Sequence, residues 1–481
     1  MYKADVVVVG AGAVGCAIAR ELSRYNLKVI VADKRADVGG DASKSNTAII
    51  VTPYQCQPNT LESQLCSSQR AIVEQVVRDL DVPFKVCGGL MLALTEAQFD
   101  TLPRILDEAF ANHVYDVEYL SAEEILEMEP EVNPALLGGL YSPREAIIDL
   151  FMFVVAMAEN AAENGVEFLL NCEVTGINCS EGKVREVETS AGVIETRYVI
   201  NAAGLFCDEI AAMIGECDFT VKPRKGQFFV LDKNTVCRVS RLIATVPTKE
   251  SRGMAIAPTI HGNILAGSTA EDFEDKEDHD TAADVLVEVE KQCRQLVPGI
   301  RISDTITQFC GVRPNRIPEG FHFNLSKKTQ GYLGISGVRS SGMSTCLAIA
   351  KYICKMLSDA GLGLDRKQGY IRTRRGIRKF SDATSDKREE LLRSDAGYGK
   401  IICRCENVTE AEIVQAIHRH VGARSIDAVK RRVRAGMGRC QGGFCGPRII
   451  EILERELKKP VGSINKDLNG SNMVVGKLRK S

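Results

Sequence analysis

A chain of 481 residues that is 44% apolar has material for about three domains and no need of disulfide staples. Its 61 Lys and Arg against 63 Asp and Glu leave no global charge suited to a nucleic acid or an anionic membrane. The charge is uneven, since residues 401–481 carry 16 Lys and Arg against 8 Asp and Glu, a net +8. Thirteen of the 17 cysteines stand singly among apolar neighbours, as Cys16, Cys66, Cys172 and Cys354 do, which suits reduced, buried thiols. An apolar strand starts at residue 6, leaving no room for a signal peptide, and the longest apolar runs, such as 150–158, are far too short to span a membrane. A cytoplasmic protein without an integral membrane segment is the expectation.

Val6, Val7, Val8 and Val9 form an unbroken β-branched run, as a central parallel strand buried on both faces requires. Gly10-Ala11-Gly12-Ala13-Val14-Gly15 follows at once. The first glycine permits the tight turn, the second lets the backbone approach a pyrophosphate, and the third lets the next helix pack on the strand. Residues 16–25 read as that helix, its N-terminal N–H groups and partial positive charge facing the phosphates. A second apolar strand, 28–32, ends in Asp33, where an acidic side chain meets the ribose hydroxyls of an adenine dinucleotide. The whole βαβ unit therefore points to a dinucleotide site built on Gly10, Gly12, Gly15 and Asp33.

Residues 34–47 then make a small polar loop where a nicotinamide enzyme usually continues its βα alternation. Its Ser43-Lys44-Ser45-Asn46-Thr47 segment is similar to one that flavin enzymes of the D-amino-acid oxidase and glycerol-3-phosphate dehydrogenase family carry against the flavin; read alone, it also suits a solvated loop. Apolar spacing predicts a helix over 61–80, a strand-rich section from 86, an acidic surface helix and loop over 118–134, and a helix over 149–165. Strands at 166–170, 172–177, 183–190, 193–196 and 197–201 lead into Ala202-Ala203-Gly204, which resembles the family's turn closing the cofactor site, and a helix follows over 208–214. Residues 219–307 read as mostly β, with strands at 227–231, 242–247, 254–258 and 263–266. One helix, 280–297, has Asp280 or Thr281 placed to cap it.

Further on, Lys225-Gly226-Gln227 and residues 257–263 resemble pieces of the same family, and Gly311-Val312-Arg313-Pro314 resembles its G-[IVL]-R-P motif, whose arginine lies near flavin and substrate. Residues 334–343 form a strand and glycine turn feeding a helix over 344–360, whose dipole can face the negative charge that a flavin gains on reduction. No second G-x-G-x-x-G sits between a strand and a helix, so no separate NAD(P)H domain is expected. Residues 371–400 are charged and read as a linker with one or two helical turns, and the segment beyond 459 as a polar arm.

Cys403-Arg404-Cys405 and Cys440-Gln441-Gly442-Gly443-Phe444-Cys445 bring four thiols in two close pairs. Two such loops can converge on one metal centre, either an iron–sulfur cluster or structural zinc. Between them Thr409-Glu410-Ala411-Glu412 is a capping box, Ser425 opens a second helix, and Pro447 begins a third. This C-x-C and C-x4-C arrangement resembles the bacterioferritin-associated ferredoxin domain, and residues 436–441 resemble the tail of the A subunit of bacterial anaerobic glycerol-3-phosphate dehydrogenases. That resemblance implies that Cys403, Cys405, Cys440 and Cys445 bind a [2Fe–2S] cluster.

The two resemblances cover residues 1–365 and 400–458. Together they imply an α/β fold: a Rossmann-like FAD-binding domain (about 1–80, 149–215 and 308–365) interleaved with an antiparallel-sheet α+β substrate domain (about 81–148 and 216–307). A linker (366–399), a small helical [2Fe–2S] domain (400–458) and a tail (459–481) follow. They imply cofactor contacts at Lys34, Ser43, Lys44, Asn46, Thr47, Val174, Ala203, Gly204, Gly311, Gly337, Gly342 and Met343. The implied activity is FAD-dependent dehydrogenation of a small anionic substrate, glycerol 3-phosphate or a 2-hydroxy acid. Electrons would leave through the cluster to a second flavoprotein or a quinone-linked subunit. Arg313 and Arg339 are the candidates for the substrate's phosphate or carboxylate, because guanidinium groups hold oxyanions by paired bonds.

One departure bears on the chemistry. Ile49-Ile50-Val51-Thr52-Pro53-Tyr54 places Val51 where the family's alcohol-oxidising members carry a histidine. An alcohol needs a base for its proton, and His261 or His322 is a stand-in, although a surface or packed histidine is the commoner role. A neutral amine needs no such base, which keeps an amino-acid or secondary-amine substrate open. A non-catalytic flavin and iron–sulfur electron-transfer subunit is the third reading.

Overall fold

The computed structural model describes residues 2–248 and 253–476; the end of the expected tail, 477–481, lies outside the described residues. The Val6–Val9 strand is wholly buried and pairs in parallel with Val29–Asp33 on one side and Tyr198–Asn201 on the other. Glu167–Leu170 and Tyr332–Ser336 extend the sheet in parallel at its two ends, and His322–Leu325 closes one edge antiparallel.

Both faces of this sheet are covered. Helices Ala13–Leu22, Leu150–Glu163 and Cys346–Asp359 share one core with Val6, Val8, Val31 and Leu333. On the other face Ile177, Val184 and Val187, from the antiparallel pair Val174–Ser180 and Lys183–Thr189, meet Val7, Val9 and Ile30. A strand covered on both sides has no position for a polar side chain, which accounts for the valine run.

The second large sheet is built around Thr220–Leu231, which pairs antiparallel along its length with Thr305–Ile317. It is antiparallel except where Leu242–Thr245 runs parallel to Gly89–Ala93. Helix Ala283–Leu296 buries Leu286, Val289, Cys293 and Leu296 against it. Neither Asp280 nor Thr281 caps that helix: Ala282 is the N-cap, and its N–H donates to Gln227 Oε1 at 2.8 Å, tying the helix to the sheet.

Three other expectations change. The helix expected over 61–80 breaks into Leu61–Arg70 and Val73–Asp79, because Ile72 leaves helical dihedrals and so lets Leu65, Val73 and Val77 all reach the core. Residues 118–121 form an edge strand, Glu118–Ser121, and the helix starts only at Ala122, behind a Ser121–Glu124 capping box. The segment expected to be a linker is docked. Arg374 is buried with its Nε donating to Glu159 Oε2 at 2.5 Å, Arg372 pairs with Asp79, and Ser385–Ser394 is a ten-residue helix.

The C-terminal module packs helices Glu410–His418, Ile426–Val433 and Gly446–Leu457 around Ile413, Ile417, Val429, Ile449 and Leu453. The Thr409–Glu412 capping box and the Ser425 cap form as their spacing predicts. The described part of the tail is not a free arm: Ile464 is buried, and Asp467 accepts from Arg431 and Lys44. Among the described residues no helix is long and apolar enough to cross a membrane.

Candidate functional site

A cleft of about 2100 Å³, its open mouth included, runs from the Gly10–Gly15 turn to the second sheet. It lies at the carboxyl ends of the parallel strands, where ligands bind in open α/β sheets. At its nucleotide end Ser43 Oγ accepts from Ala13 N at 2.9 Å, so the loop caps the first helix and lines the cleft with Gly12, Asn46 and Thr47. Asn46 holds the loop's shape, donating to Ala42 O and Ser43 O while accepting from Ala48 N. A Cβ on Gly12 would come within 3.2 Å of Ser43 Oγ, whereas one on Gly15 would overlap Gly10 O. Gly12 therefore keeps the cleft floor open, and Gly15 lets the helix touch the turn. The smooth floor, the helix N-terminus and the polar loop fit a bound pyrophosphate.

Asp33 closes this end from beneath rather than lining the cleft. Its carboxylate accepts from Ala11 N at 2.6 Å and Arg35 N at 2.7 Å, and burial pushes its pKa up to about 6 against these bonds. Gly204, Gly311, Gly337, Gly342 and Met343 line the middle of the cleft, just ahead of helix Cys346–Asp359, which starts two residues later than the sequence implied.

The far end carries the arginines. Register in the long strand pair sets Arg224 opposite Arg313. Arg313 donates from Nη1 to Lys225 O and Thr269 O, and from Nη2 to Ser268 Oγ at 2.6 Å, which fixes the guanidinium plane in the cleft wall. Arg339 also lines the cleft, bonded to Asn315 Oδ1 and paired with Glu319 at 3.3 Å. Sequence reasoning missed Glu145, which lines the cleft beside Leu242 although it is completely buried. Its Oε1 accepts from Thr52 N, Thr52 Oγ1 and Ser142 Oγ, while its Oε2 has no partner. Burial pushes its pKa up to about 7 against these hydrogen bonds and the charge of Arg70. No local motif marks it, because only the fold brings Thr52 to the turn holding Glu145.

Several expected site residues lie elsewhere. His261 does not line the cleft; its Nε2 is 2.9 Å from Asp149 Oδ2, and Asp149 in turn caps helix Leu150–Glu163. His322 opens the edge strand of the parallel sheet and is exposed. Lys34 pairs with Glu277 and lies over the Phe206 ring, and Lys44 reaches Asp467 at 2.7 Å. Both lysines are drawn from the cleft by carboxylates of other segments. Val174 backs the parallel sheet from below, and the Ala203 N–H is held by Asn201 Oδ1.

In the C-terminal module Cys405 and Cys440 bring their sulfurs to 3.7 Å, and Cys403 hydrogen-bonds Cys445. That bond from Cys445 holds the Cys403 thiol below its ordinary value. A spacing near 3.7 Å is what two thiolates on one tetrahedral metal at about 2.3 Å require. Among the described residues no group of three or more His, Cys, Asp or Glu side chains gathers about one metal position. Four thiols brought together in two pairs supply the donor set that a [2Fe–2S] cluster needs.

A model of the FAD dependent oxidoreductase family matches residues 5–356, and one of the BFD-like [2Fe-2S] binding domain matches 401–455. The chain is 40% identical to a glycerol 3-phosphate dehydrogenase of Caloramator mitchellensis over 98% of both proteins. It is 28% identical to a glycerol 3-phosphate oxidase of Mycoplasma pneumoniae over 74% of this chain and 95% of that one. The fold superposes on FAD-bound L-α-glycerophosphate oxidase from Mycoplasma pneumoniae with a TM-score of 0.74 at 27% identity, covering 78% of this chain and 98% of the other. FAD and a [2Fe–2S] cluster are thus the cofactors of the protein, and the chain belongs to the FAD dependent oxidoreductase family, extended by a BFD-like [2Fe-2S] binding domain.

Proposed function

We propose that the protein oxidises glycerol 3-phosphate, or a closely similar small anionic alcohol, and passes the electrons through its C-terminal module to a partner protein. The observation that carries this reading is the pair Arg313 and Arg339 in the wall of a cleft whose opposite end suits a dinucleotide. The near full-length likeness to a glycerol 3-phosphate dehydrogenase supports it. Bound FAD supplies the two-electron oxidant, and the cluster a one-electron carrier.

The residues of the chain bind and orient. Gly12, Ser43, Asn46 and Thr47 hold the pyrophosphate side, and Gly311, Gly337 and Gly342 line the middle of the cleft, where the ring system lies. Arg313, its plane fixed by Lys225 O, Thr269 O and Ser268 Oγ, takes the anionic end of the substrate with Arg339. Exchange of Arg339 from Glu319 to substrate keeps its charge compensated.

Val51 in the cleft wall favours a second reading, an amine substrate that needs no base. The test is anaerobic bleaching of the purified holoprotein by glycerol 3-phosphate, 2-hydroxy acids, amino acids and N-methylamino acids. Rapid bleaching by glycerol 3-phosphate is expected. Bleaching by amines alone would establish the second reading, and bleaching by none would favour a flavin that only relays charge.

A further inference from the structure

Oxidising an alcohol to a ketone removes a hydride from carbon and a proton from oxygen, so some group in the cleft must take the proton. Among the described residues lining the cleft, only Glu145 and Glu319 carry a side chain able to accept one near neutral pH. Glu319 is 56% exposed and paired with Arg339, and the two histidines that the sequence offered lie elsewhere. We infer that Glu145 is the general base of the reaction, its Oε2 receiving the hydroxyl proton of the substrate. This inference rests on the alcohol reading of the function.

The geometry favours it in three ways. Glu145 is held by Thr52, the residue after Val51: Thr52 donates to its Oε1 from both N and Oγ1, at 2.9 and 2.6 Å, and Ser142 adds a third bond at 3.1 Å. The carboxylate is therefore fixed by one oxygen. The other oxygen is buried with no partner, an arrangement that costs stability unless a ligand completes it. Finally, the charged and titratable groups around it leave it close to neutrality. Arg70, from helix Leu61–Arg70, favours the ionised form, Cys87, beyond strand Phe84–Val86, is itself kept uncharged by burial and by Glu145, and burial of Glu145 dominates, raising its pKa to about 7. A base so placed is ionised often enough to accept a proton and basic enough to keep it. In the step, the substrate O–H bond breaks, its proton bonds to Oε2, the C–H electron pair leaves as hydride to the family's FAD oxidant, and the C=O bond forms.

The test is stopped-flow flavin reduction of holoprotein by glycerol 3-phosphate, as a function of pH, in wild type, Glu145→Gln and Glu145→Asp. In wild type the rate rises with pH through about 7 and levels off. Glu145→Gln loses roughly 10²-fold or more in rate, and with it the rising limb, while substrate affinity stays within a few-fold because Arg313 and Arg339 are untouched. Glu145→Asp recovers part of the rate and keeps a limb. A readout independent of turnover is an infrared difference titration, in which a protonated carboxyl band disappears through about pH 7 in wild type and is missing from Glu145→Gln. Near wild-type reduction by a folded Glu145→Gln protein, or an unchanged pH limb in it, would overturn the assignment. Should Glu145→Gln not fold, an aspartate variant as fast as wild type, or no carboxyl band near neutral pH, would do the same. Wild-type flavin that no alcohol bleaches would instead overturn the proposed function, and the two failures are distinct.

Discussion

Arg432 and Asp37 meet 395 residues apart in sequence through two short bonds, Nη2 to Oδ1 at 2.7 Å and Nη1 to Oδ2 at 2.8 Å. Arg431 adds two more to Oδ2, and all three side chains are buried. Asp37 belongs to the loop behind the nucleotide strands, and Gly39 N two residues on donates to Ala11 O in the glycine turn. The module is thus fastened to the backbone that shapes the glycine turn at the head of the cleft.

The first prediction concerns that joint. Asp37→Ala leaves two buried guanidinium groups unpaired and is expected to destabilise the protein by about 3–5 kcal/mol, measured by urea unfolding of the holoprotein. Flavin should be lost more readily too, since the same loop supports the glycine turn. The pH dependence follows from sign. Burial alone would raise the Asp37 pKa, but Arg432 and Arg431 hold it below the ordinary value. The joint therefore contributes fully above an unfolded pKa of about 3.9 and weakens as pH falls below it, so docking should be flat from about pH 8 to 5. Release of the module between about pH 8 and 6 would contradict this.

A second joint lies in the strap. Glu159 Oε2 accepts from Arg374 and Arg419, and the Arg374 side chain is almost wholly enclosed. Glu159→Ala should cost about 3–5 kcal/mol and open the strap over residues 371–379 to limited proteolysis. An unchanged cleavage pattern would mean that the strap is held by its other bonds.

The third prediction separates two glycines of one motif. Gly12→Val fills the cleft floor beside Ser43, so the protein should fold but carry little flavin. Gly15→Ala drives a methyl into Gly10 O and should lower stability itself. Flavin-to-protein ratio and apoprotein melting temperature measure the two effects. Full flavin occupancy in Gly12→Val would overturn the placement of the pyrophosphate.

The contrast between what was legible in the sequence and what was not has a physical basis. The βαβ unit, the capping box at Thr409 and the cysteine pairs were readable because each is a local rule: period, cap, turn or spacing. Glu145, Asp37 and Glu159 were not, since each owes its role to partners far along the chain, and no local pattern distinguishes such a carboxylate from a surface one. Lys44 shows the reverse case. Its segment resembled a flavin contact, yet Asp467, 423 residues on, takes its charge. The basic excess of the module likewise reads as a steering surface in sequence, whereas Arg431, Arg432, Arg419 and Arg439 are engaged with carboxylates of the main body.

A fourth prediction addresses the thiols. Cys440→Ser should remove iron, inorganic sulfide and the reduced-state EPR signal together, leaving the FAD content intact because Cys440 has no part in the cleft. Stoichiometric zinc in anaerobically purified wild type would refute the iron–sulfur assignment.

The last prediction concerns where electrons leave. Phe444, between Cys440 and Cys445, is 86% exposed, and Cys440 itself is only partly covered, whereas Cys403 and Cys445 are buried. The thiol pairs therefore have one open side, where a partner can approach, and an apolar ring stands on it. Close in sequence to the four cysteines, Arg404 and Arg448 are exposed, and the Arg439 side chain is 69% exposed although it pairs with Asp232. With four of the module's arginines engaged by main-body carboxylates, the transfer rate should fall only modestly with added salt, and contact through Phe444 should count for more. Stopped-flow reduction with substrate separates entry from exit. Cys440→Ser should bleach its flavin at the wild-type rate yet lose turnover with the acceptor, and Phe444→Ala should retain its cluster signal while weakening acceptor turnover several-fold. Wild-type turnover by Cys440→Ser with the physiological acceptor would place the exit at the flavin and overturn this reading.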